Sequence, residues 1–205
     1  VIWVVWKKQP FSSFNNGYGL IGLYRMPQNR QEPVSDSEEE KTLEYKLRDF
    51  IARAISENKA DIVSVYYENF TDKHEFGINA EEKFFPASML KMPLLVAYYK
   101  ESETNPGILE KEISYNLELP KVNYYFKPEK EIEKGKSYSV SELLMAMIAE
   151  SDNNAGNLLH LFIGGDKAVK VFKDLGLPMP EPADFMNVRE YSRFYQELFD
   201  GSYLS

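Results

Sequence analysis

The stretch that most constrains this chain is residues 61–70, which alternates as a half-buried strand must. Val63, Val65 and Tyr67 interleave with Ser64, Tyr66 and Glu68, and the turn Asn69-Phe70-Thr71-Asp72-Lys73 leads into a second strand at about 75–79. A two-stranded hairpin is marginal in water, so these strands require a larger antiparallel sheet. Most of the remaining periodicity is helical. Leu43, Leu47, Phe50, Ile51 and Ile55 recur every three or four residues and predict a helix over about 38–58, with Ser35, Asp36 and Ser37 as cap candidates. Further helices are predicted at about 87–100, 108–115, 140–150, 154–162, 166–175 and 187–199, broken by Gly164-Gly165 and Gly176. The expected fold class is α+β, with a sheet for which the sequence offers few strands.

The ends read as those of a longer protein. The chain begins with Val rather than Met, and the apolar hexamer Val1–Trp6 stops at Lys7-Lys8. Six residues cannot span a bilayer, which takes about 20. Two readings of residues 1–8 stay open: the remnant of a signal peptide or membrane anchor, with Trp3 and Trp6 near the interface, or a short buried strand. Lys7 and Lys8 weigh mildly against export after an anchor. Residues 9–40, with Ser12-Ser13, Asn15-Asn16-Gly17, Pro27, Pro33 and Glu38-Glu39-Glu40, read as linker, and 41–205 as the domain proper. The last predicted helix stops shortly before Ser205, where another element is expected.

Composition removes several function classes. A net charge of −8 over 205 residues provides no basic excess for phosphates, so no nucleic-acid partner is expected. The absence of Cys removes disulfides, thiol nucleophiles and Cys–zinc sites together. The two histidines, His74 and His160, form no metal-ligand pair, and neither stands in a pattern that suggests a Ser-His-Asp triad. No metal and no cofactor is expected. The aromatic segments Tyr98-Tyr99 and Tyr124-Tyr125-Phe126 fit either a cleft wall or ordinary packing.

Chemistry concentrates in two places. In Phe85-Pro86-Ala87-Ser88-Met89-Leu90-Lys91, Ser88 stands at the start of an apolar helix, with Lys91 three residues on and on the same face. That spacing pairs a nucleophile with a proton acceptor, provided that burial among Met89, Leu90 and Met92 lowers the lysine pKa. The helix N-terminus adds partial positive charge where an oxyanion would form. Pro93 falls early in this helix. The pattern alone is weak, because 16 serines and 18 lysines predict roughly 1.4 Ser-x-x-Lys matches by chance. The second match, Ser56-Glu57-Asn58-Lys59, lies at a polar helix end and reads as a decoy. The other place is Glu150-Ser151-Asp152-Asn153-Asn154, a polar interruption between two apolar helices, where Ser151 or Asp152 can also be a plain helix cap.

Together, Ser88-Met89-Leu90-Lys91 followed by Ser151-Asp152-Asn153 resembles the class A β-lactamases and the wider penicillin-recognising serine hydrolases. The flanks Asn79-Ala80-Glu81, Tyr138-Ser139-Val140-Ser141-Glu142-Leu143-Leu144, Asn154-Ala155-Gly156-Asn157 and Ile163-Gly164-Gly165 are similar too, so the resemblance covers about 41–205. It implies a β-lactamase/transpeptidase-like fold, a helical subdomain packed on an antiparallel sheet that is incomplete in this chain. By position, it implies that Ser88 is the acylated nucleophile and that Lys91 takes part in its activation. Ser151 would relay a proton to the leaving nitrogen, Asn153 would bind a substrate amide, and the Ser88 N–H would donate into an oxyanion hole. The implied partner is a β-lactam or a cell-wall peptide, met by a monomer in an extracytoplasmic place, periplasmic or at the cell surface.

Two departures accompany the resemblance. No Lys-Thr-Gly follows, so the carboxylate-binding side and part of the oxyanion hole are expected beyond this chain. The loop of the deacylating glutamate looks short: Glu181-Pro182-Ala183-Asp184 matches its start, but Phe185 stands where an asparagine is expected. Glu181 is therefore either the deacylation base or a solvated loop acid. Without that base an acyl-enzyme would form and hydrolyse slowly. The rival readings are a D,D-peptidase-like or esterase-like hydrolase with the same serine and lysine, and a catalytically silent cell-wall-binding domain.

Overall fold

The computed structural model describes residues 2–7, 18–21, 36–119, 128–178 and 186–204. The chain divides into two compact units, residues 1–85 with 184–192, and residues 86–183 with 193–205.

In the first unit, strands β1 (Ile2–Lys7), β2 (Tyr18–Ile21), β3 (Ile62–Glu68) and β4 (Glu75–Ile78) form an antiparallel sheet in the order β2-β1-β3-β4. Val65 stands opposite Val4 on one side and Ile78 on the other. The hairpin thus obtains the partners that its sequence required. Residues 2–7 of the hexamer form a strand paired with β3. The stretch 9–40, read as linker, contains β2 and the start of helix α1 (Asp36–Ser56).

Helix α1 buries its apolar stripe against the sheet. Ile51, Ala60, Val63, Val65, Phe76 and Ile78 form the core, flanked by Leu43, Leu47 and Tyr67. Tyr67 stacks on its cross-strand partner Phe76 at 4.9 Å. The opposite face of β3 carries Ser64, Tyr66 and Glu68, also buried. The Tyr66 hydroxyl donates to Glu75 at 2.5 Å, and Arg189 pairs with both Glu75 (2.8 Å) and Glu81 (2.9 Å) while lying over the Tyr66 ring. Burial and the Glu75 carboxylate push the Tyr66 phenol far above its usual range.

The second unit is mainly helical: α2 (Lys91–Ser102), α3 (Val140–Ala149), α4 (Asn153–Ile163), α5 (Gly165–Asp174) and the latter part of α6 (Val188–Asp200). Each predicted helix forms within a few residues of its expected bounds, except the one at 108–115. There a short 3-10 turn, Pro106–Ile108, is followed by strand β5 (Glu112–Ser114), paired with β6 (Ser137–Ser139). Glu112 and Ser114 are exposed, Ile113 is half-buried and Tyr115 buried, a period of two that the short apolar run disguised as helix. Ser139 starts α3 through a reciprocal capping box with Glu142. The buried Tyr98 hydroxyl ties α2 to α4 by donating to the Leu159 carbonyl at 2.7 Å. Among the described residues, no helix is long and apolar enough to cross a membrane.

Candidate active site

Pro86 leads into one 3-10 turn, Ala87–Leu90, which continues directly as α2. Ser88 lies in that turn and is exposed, with Lys91 half-buried as the first residue of α2. Pro93 is buried in the first turn of α2, a position where proline is tolerated. Ala87, immediately before Ser88, has φ +47°, a left-handed conformation rare for a residue with a β-carbon.

The second motif lies between α3 and α4. Ser151 reverses the chain at φ +55°. Asp152 then caps α4, its Oδ1 accepting from the N–H groups of Asn154 (2.7 Å) and Ala155 (3.1 Å). Asn153 is the first residue of α4 and half-buried.

These turns bring Ser88, Lys91 and Ser151 together. Lys91 Nζ donates to the Ser151 carbonyl at 2.6 Å and to Ser151 Oγ at 2.9 Å, and lies 3.4 Å from Ser88 Oγ. Ser151 Oγ donates in turn to Ser88 Oγ at 3.0 Å. A continuous hydrogen-bonded path therefore runs from the nucleophile candidate to the amine through Ser151. The lysine stem lies against α4 and near buried Met147: a β-carbon at Gly156 would stand 3.9 Å from Lys91 Cε and 3.6 Å from the Met147 side chain. Burial lowers the Lys91 pKa to about 8, partly opposed by the Asp152 charge. At pH 7 roughly a tenth of such amines is neutral, against roughly three in ten thousand at the ordinary value.

The other sequence candidates stand apart. Glu181 and Tyr124-Tyr125-Phe126 lie outside the described residues. His160 and His74 are exposed, and the His74 N–H is held by Asp72 at the β3–β4 turn. Among the described residues, no group of three or more His, Cys, Asp or Glu is arranged to hold a metal ion. Sequence reasoning missed the grip of the Ser151 carbonyl on Lys91 and the complete burial of Asp152. The first leaves no signal in a side-chain pattern; the second was visible only as a cap candidate.

The chain belongs to the Beta-lactamase enzyme family, whose model matches residues 46–205. Solved structures share its α+β, β-lactamase/transpeptidase-like fold. A PBP-A mutant, captured as its acyl-enzyme complex with penicillin G, matches with a TM-score of 0.60 and 20% identity over 80% of this chain and 64% of its own. A β-lactamase from Sphaerobacter thermophilus has a TM-score of 0.53 and 23% identity over 65% of this chain and 55% of its own. For a class A β-lactamase from Mycobacterium abscessus the values are 0.55 and 21%, over 68% and 58%. The chain thus spans between about half and two thirds of the length of these proteins. It is a β-lactamase-like domain of the serine hydrolase kind.

Proposed function

We propose that the whole protein is a serine acyl hydrolase of the class A β-lactamase type, acylated on Ser88 by β-lactams and slow to deacylate. The observation that carries this reading is the hydrogen-bonded path Ser88–Ser151–Lys91, ending on an amine whose pKa is lowered to about 8.

Ser88 Oγ attacks the β-lactam carbonyl carbon as its proton passes, through Ser151 Oγ, to the neutral Lys91 amine. The oxyanion forms beside the positive end of α2. When the C–N bond breaks, the lysinium returns the proton through Ser151 to the leaving nitrogen, so the amine is restored and Ser88 is left as an ester. Asn153, at the start of α4, binds the substrate's side-chain amide. The slow second half follows from the short sequence around Glu181, the candidate base for the hydrolytic water. β-Lactams and cell-wall peptides are met outside the cytoplasm, so the proposal carries an extracytoplasmic place, periplasmic or at the cell surface, and a part in antibiotic resistance.

Intact-mass spectrometry of the full-length protein mixed with a penicillin, followed over time, tests this. The expected result is a persistent adduct of one penicillin, mapped to Ser88 and absent from Ser88→Ala. An adduct that survives Ser88→Ala overturns the nucleophile. A transient adduct with rapid loss of penicillin overturns slow deacylation and favours a fast β-lactamase. No adduct in the wild type overturns the reading in favour of another acyl substrate or a silent domain.

A further inference from the structure

Gly156 stands inside α4, half-buried, on the side that meets α3 and the first residue of α2. Glycine is the poorest residue after proline for a helix interior, and alanine the best. Neither usual reason for a glycine applies at this position. Its φ is not positive, unlike that of Gly176 at +65°. No close approach demands it either. At Gly77 an added β-carbon would stand 2.7 Å from the Ala80 β-carbon, so something would have to move. At Gly156 the nearest atoms would be Met147 Cγ and Sδ at 3.6 Å and Lys91 Cε at 3.9 Å, which is ordinary contact. Alanine therefore fits here and suits the helix better.

What the missing carbon changes is the surroundings of Lys91. Cε is bonded to the reacting nitrogen, so a methyl group against it takes the place of solvent next to the amine. The proposed reaction uses both forms of that amine: the neutral form takes the proton of Ser88, and the ammonium gives it back to the leaving nitrogen. Burial already favours the neutral form, and an amine dehydrated further is a weaker base for the first half. The charged and titratable groups on the neighbouring elements are placed as follows. Asp152, ahead of α4, opposes the loss of charge. On α2, Tyr98 bonds the Leu159 carbonyl, while Lys100 and Glu101 pair with Glu103 and with Lys167 of α5. Glu142 caps the start of α3, Glu150 follows its end, and His160 is exposed late in α4. Hydration on the α4 side is thus a separate influence on Lys91, and residue 156 controls it.

We propose that Gly156 is a positioning residue for the acylating group: without a β-carbon it leaves the stem of Lys91 open to solvent on the α4 side, so that the amine both accepts and returns a proton. This rests on the roles given above to Ser88, Lys91 and Ser151. The test compares the full-length wild type with Gly156→Ala and with Gly107→Ala, the same substitution at an exposed site where an added β-carbon meets nothing within 4 Å. Three quantities are read. The first is the pH midpoint of the Lys91 amine, by NMR of protein labelled with carbon-13 lysine, with the signal assigned by its loss in Lys91→Arg. The second is the inflection of the penicillin acylation rate against pH, and the third is the melting temperature.

In the wild type the midpoint is expected at about 8. In Gly156→Ala it is expected to fall by roughly half a pH unit, about a threefold rise in the ratio of neutral to charged amine. The acylation inflection moves down with it, and the melting temperature rises because alanine is the better helix former. Gly107→Ala leaves midpoint and inflection in place. A purely structural glycine gives the higher melting temperature alone. An unmoved midpoint, an unmoved inflection beside a lowered midpoint, or an equal fall in Gly107→Ala overturns the proposal. So does a Gly156→Ala protein that no longer melts cooperatively, because the β-carbon then has no room. A wild type that forms no adduct sinks the proposed function instead, and the midpoint comparison, which needs no substrate, then decides for or against Gly156.

Discussion

Ser88–Lys91 and Ser56–Lys59 have the same four-residue pattern and opposite surroundings. Ser56 sits at the end of α1, where its hydroxyl turns back to the Arg53 carbonyl at 2.9 Å. Lys59 pairs with Glu57 at 2.5 Å, its side chain 72% exposed, so water screens the charge. Lys91 instead starts an apolar helix, loses hydration beside α4, and is gripped by a residue 60 positions further along the chain. Spacing places serine and lysine on one face in both cases. A proton acceptor arises where a distant segment removes water from the amine and supplies a relay.

The contrast breaks most sharply at the serines. Ser88→Ala is expected to abolish the penicillin adduct seen by mass spectrometry, whereas Ser56→Ala leaves it unchanged. At the lysines, Lys91→Met is expected to slow acylation by about 10²–10⁴-fold, the range of a positioned general base, and Lys59→Met to leave the stopped-flow rate unaltered.

A third consequence is the pH profile. In the proposed mechanism the neutral Lys91 amine takes the proton, so the acylation rate should rise tenfold per pH unit below about 8 and flatten above it. Between pH 6 and pH 8 that is roughly a fiftyfold increase. The linkage has a definite sign. A lysine pKa lowered on folding means that the unfolded chain binds the proton more tightly, so this group's contribution to stability is least favourable below about 8. It improves as pH rises toward the ordinary value of 10.5. A rate profile without an inflection near 8 would break the link between burial and function.

Smaller effects sharpen the comparison further. Tyr98→Phe removes the donor that ties α2 to the Leu159 carbonyl and should cost about 1–2 kcal/mol in denaturant unfolding. The smallest change is expected from Lys59→Met, within about 0.5 kcal/mol of wild type by the same measurement.

Much of the local architecture was legible. The alternation of Val63, Val65 and Tyr67 predicted β3, and Ser139 with Glu142 begins α3 where the apolar run begins. The helix expected at 108–115 became a turn and β5, because Glu112-Ile113-Ser114 is too short to separate periods of 2 and 3.6 and its partner β6 lies more than 20 residues away. The strand partners of β3 were equally hidden: Ile2–Lys7 reads as well as an anchor remnant, and only pairing with Ile62–Tyr67 makes it a strand. At the site, the residues and their order were readable, but the hydrogen bonds among them were not.

The sequence by itself determined most of the helices, the β3–β4 hairpin and the candidate reacting groups, because propensity, capping and side-chain chemistry act within a few residues of chain. Only the tertiary structure decided how far the Lys91 pKa falls, to about 8, why Ser151 meets it with a carbonyl as well as a hydroxyl, and that Asp152, next in the chain, is wholly buried. Desolvation and hydrogen-bond direction are set by what packs from elsewhere in the chain, and a linear pattern does not encode them.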